Sequence, residues 1–170
     1  MAEEARSLAA ELRLLNTHVF FATEWVAYDD RQNWLLESDI GISAHAETAE
    51  ARFSFRTRVL DYIWAGLPCI LTAGDYFSDW VAQQGAGETV SADDVGAWKS
   101  AILRMAREPA ARQRMKAQLL SRAPEFSWER VAAPLIRYCA APYKTVRTPA
   151  FRRRLVPLLS AVFDSVKRQG

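Results

Sequence analysis

Residues 43 to 66, SAHAETAEARFSFRTRVLDYIWAG, gather one of the chain's two histidines with three acids and three arginines. Each type has its chemistry: a guanidinium fork matches phosphate oxygens, a carboxylate accepts from sugar hydroxyls, and an imidazole exchanges protons near neutral pH. Ser54 is a plausible N-cap for a helix running to Ala65. The free N–H groups and positive dipole end of such a helix form an anion site, to which Arg56 and Arg58 add fixed charge. A phosphorylated ligand suits that combination. Helical spacing places Ser54, Arg58 and Asp61 on one face and Phe55, Val59, Tyr62 and Ile63 on another. An arginine near the helix start for phosphate and a carboxylate two turns on for hydroxyls would fit a sugar nucleotide. The same spacing equally makes a surface Arg58–Asp61 pair at i, i+3, worth only a few tenths of a kcal/mol. His45 reads either as a ligand contact or as an ordinary loop residue.

Several elements must position this stretch. Ala5, Leu8, Ala9, Leu12 and Leu15 recur at helical spacing and predict a helix over 3–15. HVFFAT, residues 18–23, is of strand type; DRQNWLLES, 30–38, reads as a helix and DIGIS, 39–43, as a strand. Gly66 sits where helices end in a left-handed turn, and Pro68 forbids continuation. PCILT, 68–72, lacks both alternation and charge, the pattern of a strand buried on both faces. A helix over 76–84, a strand over 88–91 and helices over 93–107, 109–122 and 127–140 follow. Strands alternating with helices predict a parallel sheet, here of four strands, wrapped by helices. The 43–54 connection then lies at the carboxyl edge of the sheet, where ligands bind in such folds. The chain starts on a helix, so the sheet is expected to lack the opening strands of a full doubly wound domain.

Composition excludes other classes. Half of the 170 residues are hydrophobic and a quarter charged, which rules out disorder as the main state. Cys69 and Cys139, far apart and in apolar runs, make neither a metal cluster nor a disulfide framework, are expected to be buried, and fit a reducing compartment. The uncharged run between Asp61 and Asp75 is too short to span a bilayer, and the acidic start, Glu3 and Glu4, is unlike a signal peptide. A cytoplasmic chain is expected. The net charge of +2 divides unevenly: the last 28 residues carry seven basic groups against Asp164, or +6, which leaves −4 on the rest. That basic tail, 142–170, suits anionic lipid at the inner face of a membrane or an acidic partner, or is simply solvated. Residues 149–168 have the pattern of an amphipathic helix interrupted by Pro157. Nucleic acid is not expected, because the body is acidic and only Tyr143 and Phe151 stand near the tail's charges. The six tryptophans are dispersed and read as core or sheet-covering residues. No Ser-His-Asp set, Walker loop, zinc spacing or Asp-x-Asp pair occurs, so no metal or other cofactor is expected.

The run FSFRTRVLDYIWAGLPCILT resembles the donor-site helix and following strand of group 1, family 4-like glycosyltransferases of the GT-B fold, with Asp61, Tyr62, Ala65, Gly66 and Pro68 on the family template. LRLLNTHVFFATEWVAYDDRQNWLLESDIGIS looks like the family's helix, strand, helix, strand approach, and GAGETVSADDVGAWKSAILRM like its segment downstream. The resemblance covers about residues 5 to 140. It implies that 1–141 is a partial Rossmann-like domain holding a nucleoside diphosphate sugar. Ser54, Phe55 and Arg56 would make backbone contacts to phosphate, Arg58 would hold the phosphates and Asp61 the ribose. Phe53 stands where many members place a sugar-facing acid, which Glu47 or Glu50 would have to replace from the loop; His45 completes the candidate set, and no catalytic residue is assigned. The resemblance further implies a retaining hexosyl transfer to a glycan or glycoconjugate acceptor, with the acceptor on an N-terminal domain that this chain lacks. The chain is thus expected to be a fragment, a truncated frame or a subunit needing a partner. The alternative is a non-catalytic Rossmann-like module that binds a nucleotide or a protein partner.

Overall fold

Pro68 and the uncharged run behind it set the centre of the fold. Cys69–Thr72 forms a strand, β2, with every residue buried. It lies between β1 (Gly41–Ser43) and β3 (Gly87–Val90), both parallel to it, in the order β1-β2-β3. Register places Gly41, Cys69 and Gly87 side by side. The computed structural model describes residues 2–22 and 24–143. Its helices are α1 (Ala2–Glu11), α2 (Arg31–Glu37), α3 (Ala49–Phe53), α4 (Thr57–Ala65), α5 (Tyr76–Gln84), α6 (Val95–Arg107), α7 (Pro109–Arg122) and α8 (Trp128–Ala140).

Parallel neighbours require crossovers. α3 and α4 carry the chain from β1 to β2, and α5 carries it from β2 to β3. Alternation along β2 then separates two apolar layers. Cys69 and Leu71 join Val59 and Ile63 of α4, Phe77 and Val81 of α5, and Leu119 of α7. Ile70 joins Val90 with Ala101 and Met105 of α6 on the other layer. Each of the large aliphatic side chains contributes about 1.5–3 kcal/mol by leaving water. Burial also pushes the Cys69 thiol up to about 12, so it packs as a small hydrophobe and is not a nucleophile at neutral pH.

Helix ends follow local rules. Gly66 ends α4 in the left-handed region (φ 62°), with its N–H and that of Leu67 donating to Ile63 O and Tyr62 O. Asp75 and Ser78 form a reciprocal capping box at the start of α5. The chain divides into two compact units, one through Phe126 and one from Ser127, whereas the sequence places the boundary after 141. The second unit holds α8, which contains Pro134; the Glu129 carboxyl in its first turn is held below the usual range by its own backbone N–H and by Ser127. The basic tail from Lys144 onward lies outside the described residues.

Three expectations change. The strand-type run from His18 to Ala22 joins no sheet, and the sheet has three strands instead of four. The N–H groups of Leu14, Leu15, His18 and Val19 are spent in turns after α1, in a stretch that holds two residues at positive φ (Arg13, Asn16), and a parallel bridge joins Leu15 to Val19. The helix expected from Ser54 starts later, at Thr57, and a separate short helix, α3, precedes Ser54, with a break at 54–56 between them. Finally, Cys139 is exposed, as are Trp25, Trp34, Trp64 and Trp128; only Trp80 and Trp98 pack against the apolar layers.

Two glycines test the sheet. A Cβ on Gly87 would lie 2.3 Å from the Cys69 carbonyl oxygen and 2.8 Å from Val81 Cγ1, so β3 would have to move off β2. Gly85, at φ 60°, has nothing within 4 Å of such an atom. Gly87→Ala is therefore expected to cost about 3 kcal/mol through overpacking, and Gly85→Ala about 1 kcal/mol from the left-handed backbone alone. Urea unfolding of both variants checks the difference; equal costs would mean that β3 is not held this closely.

Candidate functional site

The loops that leave β1 and β2 meet at the carboxyl edge of the sheet. The His45 N–H donates to Thr72 Oγ1 (2.9 Å), and that hydroxyl donates to the His45 carbonyl (3.4 Å), which ties the first loop to the end of β2. The His45 ring is exposed, with Nε2 3.0 Å from the buried Ser43 hydroxyl. Thr48 caps α3 by accepting from the Ala51 N–H (3.0 Å). Ser54 closes that helix, its hydroxyl donating to the Glu50 carbonyl (2.7 Å). Ser54 is thus the C-cap of α3, not the N-cap of α4.

Arg56 takes the N-cap position of α4, with ψ 88° and no side-chain cap bond. Its side chain is turned inward instead, 7% exposed, with Nε 2.5 Å from Oδ2 of Asp75, which is itself 1% exposed. The break between α3 and α4 is what gives it that direction. Asp75 has a second task, because Oδ1 accepts from the Ser78 N–H (2.8 Å) at the head of α5. The Ser78 hydroxyl accepts from the N–H groups of Gly74 and Asp75 and donates to the Asp75 carbonyl. The charge contact between Arg56 and Asp75 is close but poorly aligned: Oδ2 and Arg56 Nη1 are both buried and neither completes a hydrogen bond.

A cavity of about 740 Å³ opens here, bounded by the 46–49 loop, α3, Arg56, the end of β2 at Thr72 to Gly74, and Asp79 of α5. Its charged lining is mixed, with Arg52 and Arg56 against Glu47 and Asp79, and Phe53 adds an aromatic wall. Burial and the Arg56 charge, in that order, lower the His45 pKa below the ordinary 6.5, while Asp75 opposes them. At neutral pH the imidazole is therefore neutral.

The structure brings some of the sequence candidates together and separates others. Arg56, expected to contact phosphate through its backbone, is among the residues that line the cavity, and its side chain is turned inward to Asp75. Glu47 lines it and Glu50 does not; Phe53 lines it, while Phe55 packs on Tyr76 and Phe77 (ring centroids 6.2 and 4.7 Å). Ser54 is not among the lining residues. Arg58 is exposed and outside the cavity. Asp61 faces α2 and pairs with Arg31 (3.4 Å), so it shares no ligand-facing surface with Arg56. Within α4 the expected apolar face holds, with Val59, Tyr62 and Ile63 buried together, whereas Ser54 and Phe55 precede the helix and Asp61 is turned to α2. Asp75 and Asp79 were missed. The D-x-x-S run marks Asp75 as a helix cap, but no local pattern predicts its pairing with an arginine nineteen positions upstream.

Among the described residues no group of three His, Cys, Asp or Glu side chains is placed to hold a metal ion, and no helix is long and apolar enough to cross a membrane. No family model and no curated protein matches the chain.

The lowered His45 pKa has a sign that can be measured. The unfolded imidazole titrates near 6.5 and the folded one below it, so the unfolded state binds more protons in the interval between. Stability from this residue is present above 6.5 and is lost as pH falls toward the folded value. Urea unfolding at a series of pH values is expected to show the wild-type chain losing stability relative to His45→Gln below pH 6.5. Parallel curves would place His45 in ordinary solvent.

Proposed function

We propose that this chain is the donor-binding part of a retaining glycosyltransferase, which moves a hexosyl group from a nucleoside diphosphate sugar to a glycan or glycoconjugate acceptor. The observation that carries the reading is the cavity at the carboxyl edge of a parallel sheet, with the buried Arg56 guanidinium in its wall. Its volume, about 740 Å³, is in the range of small-molecule sites. In this reading the diphosphate lies toward Arg56 and Arg52, and Glu47 and Asp79 accept hydroxyls of the sugar. Departure of the nucleoside diphosphate leaves negative charge on the leaving oxygen as an oxocarbenium-like centre forms. A cation already fixed in place stabilises that charge without reorganising. The acceptor comes from another domain or subunit, and the basic tail between Lys144 and Arg168 contacts anionic lipid at the inner face of the membrane.

A second reading, a non-catalytic module that binds a nucleotide or another anion, is favoured by one observation: Asp61, which the resemblance assigns to the ribose, is tied to Arg31 outside the cavity. Isothermal titration with UDP, GDP, ADP and their sugar conjugates separates the two, on the chain itself and on Ala51→Trp, which fills the cavity wall, and Asp61→Ala. The donor reading expects one nucleotide series to bind, the sugar conjugate more tightly than the bare nucleotide, with Ala51→Trp reducing affinity by about tenfold or more, since 1.4 kcal/mol is a decade. A loss in Asp61→Ala as well would mean that the carboxylate leaves Arg31 for the ribose. Nucleotide binding with no gain from the sugar and no effect of Asp61→Ala favours the second reading. No binding by a chain with a cooperative unfolding transition overturns both.

A further inference from the structure

We propose that α8 is an interfacial helix, which seats its apolar side in the surface of an anionic membrane while the basic residues on and after it hold the lipid charge. The inference deepens the lipid contact that the reading above gives to the basic tail, and rests on that reading only in taking anionic lipid as the partner.

Spacing divides α8 into two sides. Trp128, Val131, Leu135 and Cys139 stand at i, i+3, i+7 and i+11 on one face, Ile136 and Tyr138 flank it, and Arg130 and Arg137 stand opposite. In a helix of a packed domain such an apolar face is covered. Here no residue of α8 is buried: the large side chains of the face range from 45% (Tyr138) to 80% (Trp128) exposed, Cys139 is exposed as well, and only the small Ala132 and Ala133 are half-buried. At 13 residues the helix is too short to cross a bilayer but long enough to lie along its surface. After Ala140 the chain folds back on the helix end, where the Tyr138 hydroxyl donates to the Tyr143 carbonyl (3.2 Å) and the two rings meet edge to face (5.5 Å). Aromatic rings thus stand at both ends of the face, and rings that are apolar in body and polar at one edge favour the lipid headgroup level.

Charge identifies the occupant. The unit from Ser127 onward carries nine basic residues against Glu129 and Asp164, a net +7, whereas residues 1–126 carry thirteen against eighteen, a net −5. The sign of the chain therefore changes at the boundary between the two units. A second copy on this face would set +7 against +7, which opposes self-association. An anionic lipid surface supplies apolar depth and negative charge together and demands no matching shape, and each basic residue near it adds to the attraction. The same surface repels the acidic unit, so the unit that holds α8 is the one that meets it.

The test is co-sedimentation of the full chain, with no nucleotide present, with vesicles of phosphatidylcholine alone and with about a third phosphatidylserine. The chain is expected to bind the anionic vesicles only. Leu135→Ser combined with Ile136→Ser is expected to weaken that binding by about tenfold or more, the effect of returning even one aliphatic side chain to water. Leu36→Ser, on α2 and as exposed as Ile136, should leave it unchanged. Binding that high salt abolishes and the double substitution leaves alone belongs to the basic tail by itself and overturns the role of α8. The wild-type chain gives a second readout through Cys139. Cys69 is buried with its thiol pushed up to about 12, so a water-soluble maleimide labels Cys139 alone. Anionic vesicles are expected to slow that labelling several-fold, and an unchanged rate on the bound chain overturns the proposal. A folded chain that stays in the supernatant overturns it as well; a dimer that the double substitution dissolves would then give the face to a second copy. Vesicle binding through α8 by a chain that binds no nucleotide would keep this inference and remove the donor reading. Nucleotide binding without vesicle binding would do the reverse.

Discussion

The buried pair of Arg56 and Asp75 is the contact on which the local architecture depends. Holding an arginine side chain inside the protein requires an opposite charge in reach, and Asp75 is placed by its own role as the cap of α5. Arg56 must approach from α4, and it does so only because the chain leaves helical geometry at 54–56. The pair therefore fixes where α3 ends, where α4 begins and how the start of α5 faces both. It also brings Arg56 to the cavity beside Arg52. Arg58, two positions later and inside α4, projects to solvent.

Around that pair the fold is economical. Alternation along one four-residue strand divides the apolar side chains into two layers, with α4, α5 and α7 on one and α6 on the other. The polar chemistry is left to the strand ends, where the hydroxyl of Thr72 ties the loop after β1 to β2 and so shapes the cavity rim. A parallel sheet buried on both faces has no other place for a polar ligand than the ends of its strands. The arrangement is a three-stranded parallel α/β sheet flanked by helices, Rossmann-like in kind. The cavity's mixed charge, two arginines against two acids with Asp75 close behind, favours a ligand with both an anionic and a hydroxyl-rich part over a purely anionic one.

Much of the fold was legible because the signals are local. The end of α4 at Gly66, the fully buried β2 behind Pro68, the end of α5 at Gly85 and the opening of α6 at Asp94 are fixed by glycine's access to positive φ, by proline's missing N–H and by side-chain caps, all of which act within a few residues. The run from His18 to Ala22 shows the opposite case. Its residues favour extended backbone, yet a strand exists only where a neighbour accepts its N–H groups, and the neighbours here are the turns after α1.

The candidate site divides along the same line. From the sequence came the stretch, the carboxyl edge of the sheet and the need for an arginine near a helix start, since strand and helix order decides which loops share an edge. Tertiary structure decided which arginine, which acids and which surface. Ser54 could cap one helix or close another, and its hydroxyl found the Glu50 carbonyl. Arg56 could point to solvent or inward, and a carboxylate nineteen positions away turned it inward. Asp61 could face a ligand or a neighbour, and Arg31 of α2 took it. Local propensity sets where backbone hydrogen bonds begin and end, whereas the direction of a charged side chain is set by the nearest opposite charge, and only the folded chain determines what is near.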